Sequence, residues 1–265
     1  MSSIAVTALP SVLALGSGGI IGLVLGLVGG GGSILAVPLL VYLVGVSSPH
    51  VAIGTAAVAV ALNAAAGLIA HARRGTVKWN CALTFAAAGV IGSALGAAAG
   101  KAMDGQRLLA LFGLAMIAVG VSMLFGKGSE GDTHVRLTRA SAPRLLPWLI
   151  STGVGVGLLS GFFGIGGGFL IVPALMLATG MPITNAVGTS LVAVTAFGLT
   201  TATSYAISGL VDWGLVALLA IGGIAGTLAA GRLGQVLATR KRVLTMTFAI
   251  GVVGVGAFIV VRGWH

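Results

Sequence analysis

Acidic side chains are nearly absent from this chain: Asp104, Glu130, Asp132 and Asp212 are the four in 265 residues, and all of them fall between apolar runs. A carboxylate proton relay within a span, the usual device of a pump, is therefore missing. Cys81 is the one cysteine, so an intramolecular disulfide is excluded and the thiol reads as a small apolar residue in a helix. The sequence also has no metal-ligand cluster, nucleophile triad or phosphate-loop lysine, and no pairs of acid, thiol or histidine within the apolar runs, which weighs against an enzyme and against any cofactor. Charged residues of both signs make up 7% of the chain, where a soluble domain carries roughly 25%.

What fills the sequence is apolar: 57% hydrophobic residues and a mean hydropathy of +1.15. This is the composition of an integral membrane protein. The net charge of +10 does not suggest nucleic acid, because the cations are scattered over loops where they orient the chain and meet anionic lipid. Residues 1–10 lack a basic n-region and the next apolar run continues far past any cleavage point, so no removable signal peptide is expected and the first apolar helix directs insertion.

Six uninterrupted runs have spanning length: 51–70, 79–100 and 108–125, then 186–208, 213–231 and 243–261. Two further regions, 11–46 and 145–180, exceed the roughly 20 residues of one crossing. Each is split by glycine. The first reads GLVLGLVGGGGSILAVP over 22–38 and the second GLLSGFFGIGGGFLIVP over 157–173. Each is either one broken, tilted helix or a hairpin that enters and returns. Matches continue beyond the glycines: Gly54-Thr55 with Gly188-Thr189, Gly75 and Trp79 with Gly209 and Trp213, Gly92-Ser93 with Gly226-Thr227. One unit of about 100 residues is duplicated, giving a first membrane repeat over 1–126, a charged cytoplasmic linker over 127–144 and a second repeat over 145–265.

Counting Lys and Arg on each side weighs parallel against inverted halves. Four crossings per unit leave eight cations against six, which hardly orients the chain. With each broken region entering and leaving on one side, Arg73, Arg74, Lys78, Lys127, Arg136, Arg139, Arg144, Arg232, Arg240, Lys241 and Arg242 face Lys101, Arg107 and Arg262. Eleven against three obeys the positive-inside rule. The expected fold is an all-α polytopic membrane protein of two inverted-topology repeats, each a glycine-broken first helix or helical hairpin plus three spanning helices, with both termini outside.

Irregular backbone at membrane depth is tolerated only where it is buried in protein or lines a polar cavity. Gly29, Gly30, Gly31 and Gly32, and Gly164, Gly166, Gly167 and Gly168, allow close approach to the backbone. A helix restarting at Ser33 or at Phe169 would present free N–H groups and a positive dipole end, which favours an anion. Inversion would aim both ends at one midplane point, suited to a compact oxyanion. Close packing or a hinge is the other reading of these glycines, and it is the expected one for Gly92, Gly96 and Gly100. Pro38 and Pro173 should kink or end the second half-helix. Thr55, Thr189 and Ser190 either cap or back-bond their own helix or face the cavity. Asn63, two turns from Thr55 on the same helical face, either pairs helices or lines the site. His71, matched by Tyr205, is an interfacial structural residue or a gating or proton site. Trp79 and Trp213 fit interfacial anchors. The run 200–205 (TTATSY) either hydrates a pathway or bonds within its helix.

The stretches 29–38 (GGGGSILAVP), 164–173 (GIGGGFLIVP) and 185–191 (NAVGTSL) resemble the sulfite exporter TauE/SafE family, and the resemblance extends over nearly the whole chain. It implies a bacterial inner-membrane permease for sulfite, sulfonates, thiosulfate or related anions. Thr-Ala-Ala over 55–57 departs from Thr-Ser-Leu over 189–191, so the halves need not contact substrate equally. Alternating access around the two breaks is the leading reading, with small anion and membrane lipid as partners, no nucleic acid, and a homodimer left open. A proton- or sodium-coupled importer is the rival within transport. A membrane scaffold or intramembrane enzyme is the rival outside it.

Overall fold

The computed structural model describes residues 8–28, 30–125, 137–138, 141–164, 168–236 and 241–263. Among these residues every apolar run is a helix. The first half holds α1 (Ala8–Val28), a 3-10 segment (Gly30–Leu35), α2 (Ala36–Pro38), a π-wound segment (Leu39–Val44), α3 (Pro49–Arg73), α4 (Trp79–Ala102) and α5 (Gly105–Phe125). The second holds α6 (Ala142–Phe163), α7 (Gly168–Thr179), α8 (Ile183–Ile207), α9 (Trp213–Val236) and α10 (Lys241–Gly263). Seven of these, α1, α3, α4, α5, α6, α8 and α9, are long and apolar enough to cross a membrane.

The few polar residues mark helix starts. Asp104 Oδ1 accepts the N–H groups of Gln106 and Arg107, and Asp212 Oδ1 accepts those of Gly214 and Leu215. Both occupy the free donors of a first turn. Gly45, Gly75, Gly164, Gly180 and Gly209 have positive φ and close helices or turns. At Gly164 a β-carbon would also lie 1.9 Å from Ile53 Cγ2, so conformation and space both demand glycine there.

Glycine contacts fix the helix directions. Gly18, Gly22 and Gly26 of α1 meet Leu219, Gly223 and Ala230 of α9 in rising order, and Gly92, Gly96 and Gly100 of α4 meet Val154, Leu158 and Phe162 of α6 in rising order. Both pairs are parallel. Gly54 and Gly67 of α3 meet Tyr205 and Leu191 of α8, and Gly113 and Gly120 of α5 meet Gly256 and Val253 of α10, so these pairs are antiparallel. Asn63 lies at Gly223 and Thr227 lies at Gly67, which makes α3 parallel to α9 and hence to α1. Residues 30–44 must then carry the chain back between α1 and α3. By the same reasoning from Gly89 at Phe197 and Ser93 at Thr201, α6 and α8 run the same way and α7 returns. Both broken regions are helical hairpins.

The core lies where α3 and α8 cross the bundle. Ala52, Ala56, Val60 and Ala64 of α3 and Leu191, Val194 and Phe197 of α8 are buried, whereas Leu83, Ile91, Leu95, Ile221 and Leu228 of α4 and α9 stand exposed on surfaces suited to lipid. The expected packing role of Gly92, Gly96 and Gly100 is what the structure has, and Cys81 is buried. Trp79 and Trp213 open α4 and α9 and are exposed.

Candidate functional site

The residues after each glycine run come together. The segment Gly30–Leu35 packs against α7, and both touch α8. Ser33 is fully buried, as are Gly168 and Ile171. Gly32 sits hard on α1, where a β-carbon would lie 2.4 Å from Leu25 N and 2.6 Å from Ile21 O. Gly29, Gly166 and Gly167 lie outside the described residues. The helix restart differs from expectation in the first copy: winding begins at Gly30, not Ser33, because the tighter 3-10 turn accommodates glycine after glycine. In the second copy α7 starts at Gly168, one residue before Phe169. Neither proline ends its segment. After Pro38 the winding widens from α to π and continues to Val44, and α7 runs on through Pro173 to Thr179.

Thr55 and Thr189 each bond to the opposite half of the chain. Thr55 Oγ1 accepts the N–H of Asp212 at 3.0 Å, and Thr189 Oγ1 accepts the N–H of Lys78 at 3.0 Å. Each hydroxyl thus satisfies a backbone donor at the start of α9 or α4, in the opposite half of the chain. Ser190 donates to Val187 O at 2.8 Å, a bond within α8. The run from Thr200 divides: Thr200 and Thr203 donate to carbonyls one turn back, while Thr201 Oγ1 pairs with Ser93 Oγ across to α4 at 3.2 Å.

Asn63 is the costliest residue of the set. It is 0% exposed, neither amide atom has a partner, and its side chain lies against the bare backbone of Gly223, where a β-carbon would fall 1.9 Å from Nδ2. It shares its face of α3 with Thr55, as the spacing predicts, since both reach α9. A buried amide without partners costs about 1–3 kcal/mol. One turn further on, Gly67 and Thr227 border a narrow cleft of about 20 Å³, room for about one water, that also touches Leu25, Ala70, His71 and Arg74. His71 Nδ1 lies 3.0 Å from Thr76 Oγ1, and Asn185 Nδ2 donates to Thr76 O at 2.9 Å, so α8 pins the turn below the cleft mouth. Tyr205 is fully buried with its hydroxyl unpartnered.

Two participants escaped the sequence reading. Gly223 has a legible signal, the Gly222-Gly223 pair in an apolar run. Lys101 resembles an ordinary orienting charge, yet its ammonium donates to Ser204 O at 2.9 Å and Ser208 Oγ at 3.0 Å and lies 5.8 Å from the Tyr205 ring centroid.

Seven helices long and apolar enough to cross a membrane, packed around buried, unpartnered polar groups and two glycine-broken hairpins, define a multi-pass helical membrane protein. The chain belongs to the sulfite exporter TauE/SafE family, whose model matches residues 14–259. It is 49% identical over 257 residues to a probable membrane transporter protein of Xylella fastidiosa (strain 9a5c), with 96% of each chain covered. It is 30% identical over 255 residues to the probable membrane transporter protein YunE of Bacillus subtilis (strain 168), with 88% of this chain and 92% of that one covered. No solved structure matches it. The protein is a membrane transporter of this family and not an enzyme.

Proposed function

We propose that this transporter moves a small sulfur-containing anion such as sulfite or a sulfonate across the inner membrane, by alternating access around the two glycine breaks. The observation that carries the reading is the contact between the segment Gly30–Leu35 and α7. Each of the two follows a glycine break, and a helix start favours an anion. Asn63 adds a buried amide with unused hydrogen-bonding capacity, and Ser33 lies in the first of the two segments. Gly29 to Gly32, Gly164, and Gly166 to Gly168 shape the backbone of the site, with Ser33 and Asn63 as its polar contacts. Thr55, Thr189 and Ser190 act at one remove, holding the helix ends and windings around it. His71 stands at one mouth and Tyr205 at the other.

The repeats are proposed as 1–126 and 145–265, inverted, with 127–144 as a cytoplasmic linker. Three features support this: matched helices α3 and α8, and α5 and α10, pair antiparallel; the Thr55–Asp212 bond mirrors the Thr189–Lys78 bond; and hairpin topology puts eleven of fourteen cations on the linker side. Asn80 Nδ2 donates to Leu137 O of the linker at 3.1 Å, which keeps the 74–78 turn and the linker on one side. With no carboxylate in a span, the membrane potential is the proposed drive, worth roughly 2.3 kcal/mol per charge per 100 mV. The test is flux of labelled sulfite from proteoliposomes of the purified protein under imposed potentials, with sulfate and sulfoacetate as competitors. Potential-driven flux blocked by sulfoacetate is expected. Flux that follows proton or sodium gradients, or no flux from folded protein with any of these anions, overturns it.

A further inference from the structure

The two ends of the bundle are built from matched residues and differ in one respect: at one a narrow cleft enters beside α3, and at the other a lysine ties α4 to α8. At the linker end, a cleft runs along α3 past Gly67, Ala70, His71 and Arg74. The residues 134 positions later are Thr201, Ser204, Tyr205 and Ser208, on α8 and in the turn that ends it. There side chains of α4 reach across to α8. Thr201 Oγ1 meets Ser93 Oγ, and Phe197 lies over Gly89 as Asn63 lies over Gly223. Lys101 crosses from the end of α4 to bond Ser204 O and Ser208 Oγ. Its nitrogen is 5.8 Å from the centroid of the Tyr205 ring, the position matched by His71 at the cleft end.

The chemistry of this tie is that of a releasable one. Both oxygens that accept from the ammonium belong to neutral groups, a carbonyl and a hydroxyl. The acid nearest in sequence, Asp104, turns its Oδ1 to the N–H groups of Gln106 and Arg107. An anion offers a stronger, charge-assisted partner than either oxygen, so its arrival competes directly with the tie. A carboxylate partner would have neutralised the lysine and removed that competition. The ring of Tyr205 faces the same nitrogen, and its hydroxyl, buried and unpartnered, is a second group able to donate to an oxyanion.

We propose that Lys101 is the gate residue at the end opposite the cleft: it seals that end by tying α4 to α8, and becomes the anion's exit contact when the end opens. The inference rests on the paired halves and anion cargo proposed above. Its test needs no substrate, so it fails or stands apart from the identity of the anion.

In a Cys81→Ala background, Ser204→Cys and Ala70→Cys place matched thiols at the two ends, and the Ser204 substitution leaves the carbonyl bond to Lys101 intact. Both are treated with a membrane-impermeant, anionic methanethiosulfonate reagent in vesicles of either orientation. Ala70→Cys is expected to react from the linker side. Ser204→Cys is expected to react at least ten-fold more slowly from the opposite side, and Lys101→Met to raise that rate ten-fold or more, with Lys101→Arg holding it low. Ser208→Ala, which removes one acceptor and no charge, serves if the methionine variant does not fold, and should raise the rate by a smaller factor. Equal modification of Ser204→Cys with Lys101 present, replaced by methionine, or deprived of Ser208 Oγ overturns the proposal.

Discussion

Replacing Gly157 by alanine should drive α4 and α6 apart, and the size of the effect follows from the contact. A β-carbon at Gly157 would lie 2.1 Å from Gly89 O and 2.7 Å from Gly89 Cα, against 3.4 Å where ordinary contact begins. The helices must therefore separate by about 1.3 Å. The obstacle is backbone, so no side chain can rotate away, and Gly92, Gly96 and Gly161 bring the same pair equally close at neighbouring turns. Overpacking of this kind costs up to about 3 kcal/mol, and the better helix propensity of alanine returns about 1 kcal/mol. The net loss expected is about 2 kcal/mol. Two residues earlier on the same helix, Gly155 has nothing within 4 Å of a β-carbon, so Gly155→Ala should gain up to about 1 kcal/mol from propensity alone. Gly22→Ala, at 1.9 Å from Gly223 O, should match Gly157→Ala, because α1 and α9 repeat the contact. The assay is reversible unfolding in mixed micelles by a denaturing detergent. Equal stability of the Gly155 and Gly157 variants would refute the glycine-zipper account of both helix pairs.

Asn63→Leu, which keeps the side chain's shape and removes its unpartnered amide, should stabilise the protein by about 1–3 kcal/mol while lowering anion flux at least ten-fold; a variant that loses stability and keeps flux contradicts the role given to Asn63. Thr189→Val and Thr55→Val should each cost about 1–2 kcal/mol by stranding the N–H of Lys78 or Asp212, with serine restoring most of it, as the same unfolding assay would reveal. Asp212→Ala should cost about 1 kcal/mol through the lost cap on α9, and Asp212→Asn or Asp212→Ser should recover it; an unchanged unfolding midpoint for the alanine variant would show the cap to be idle.

Span boundaries were legible because hydrocarbon thickness and backbone satisfaction leave few choices: runs such as 79–100 and 213–231 became α4 and α9 with their tryptophan starts intact. The glycine motifs were legible as breaks, yet their form was not. A broken helix and a returning hairpin have the same local sequence, and the choice between them lies in whether α3 runs with α1, a matter of contacts with α9. Thr55 and Thr189 were visible as polar residues beside glycine, but their partners are 157 and 111 residues away, beyond the reach of any local pattern. Lys101 was hidden for the same reason, since its acceptors lie 103 and 107 residues further on.

By itself the sequence determined the membrane class, the positions of the breaks and the absence of a carboxylate relay, because composition and periodicity record how each segment meets its solvent. The tertiary structure alone decided which helices run together, which hydroxyls tie one half to the other, that Asn63 is left without a partner and that Lys101 has two. Those are properties of pairs of residues brought together by folding, and a single residue's identity does not contain its neighbour.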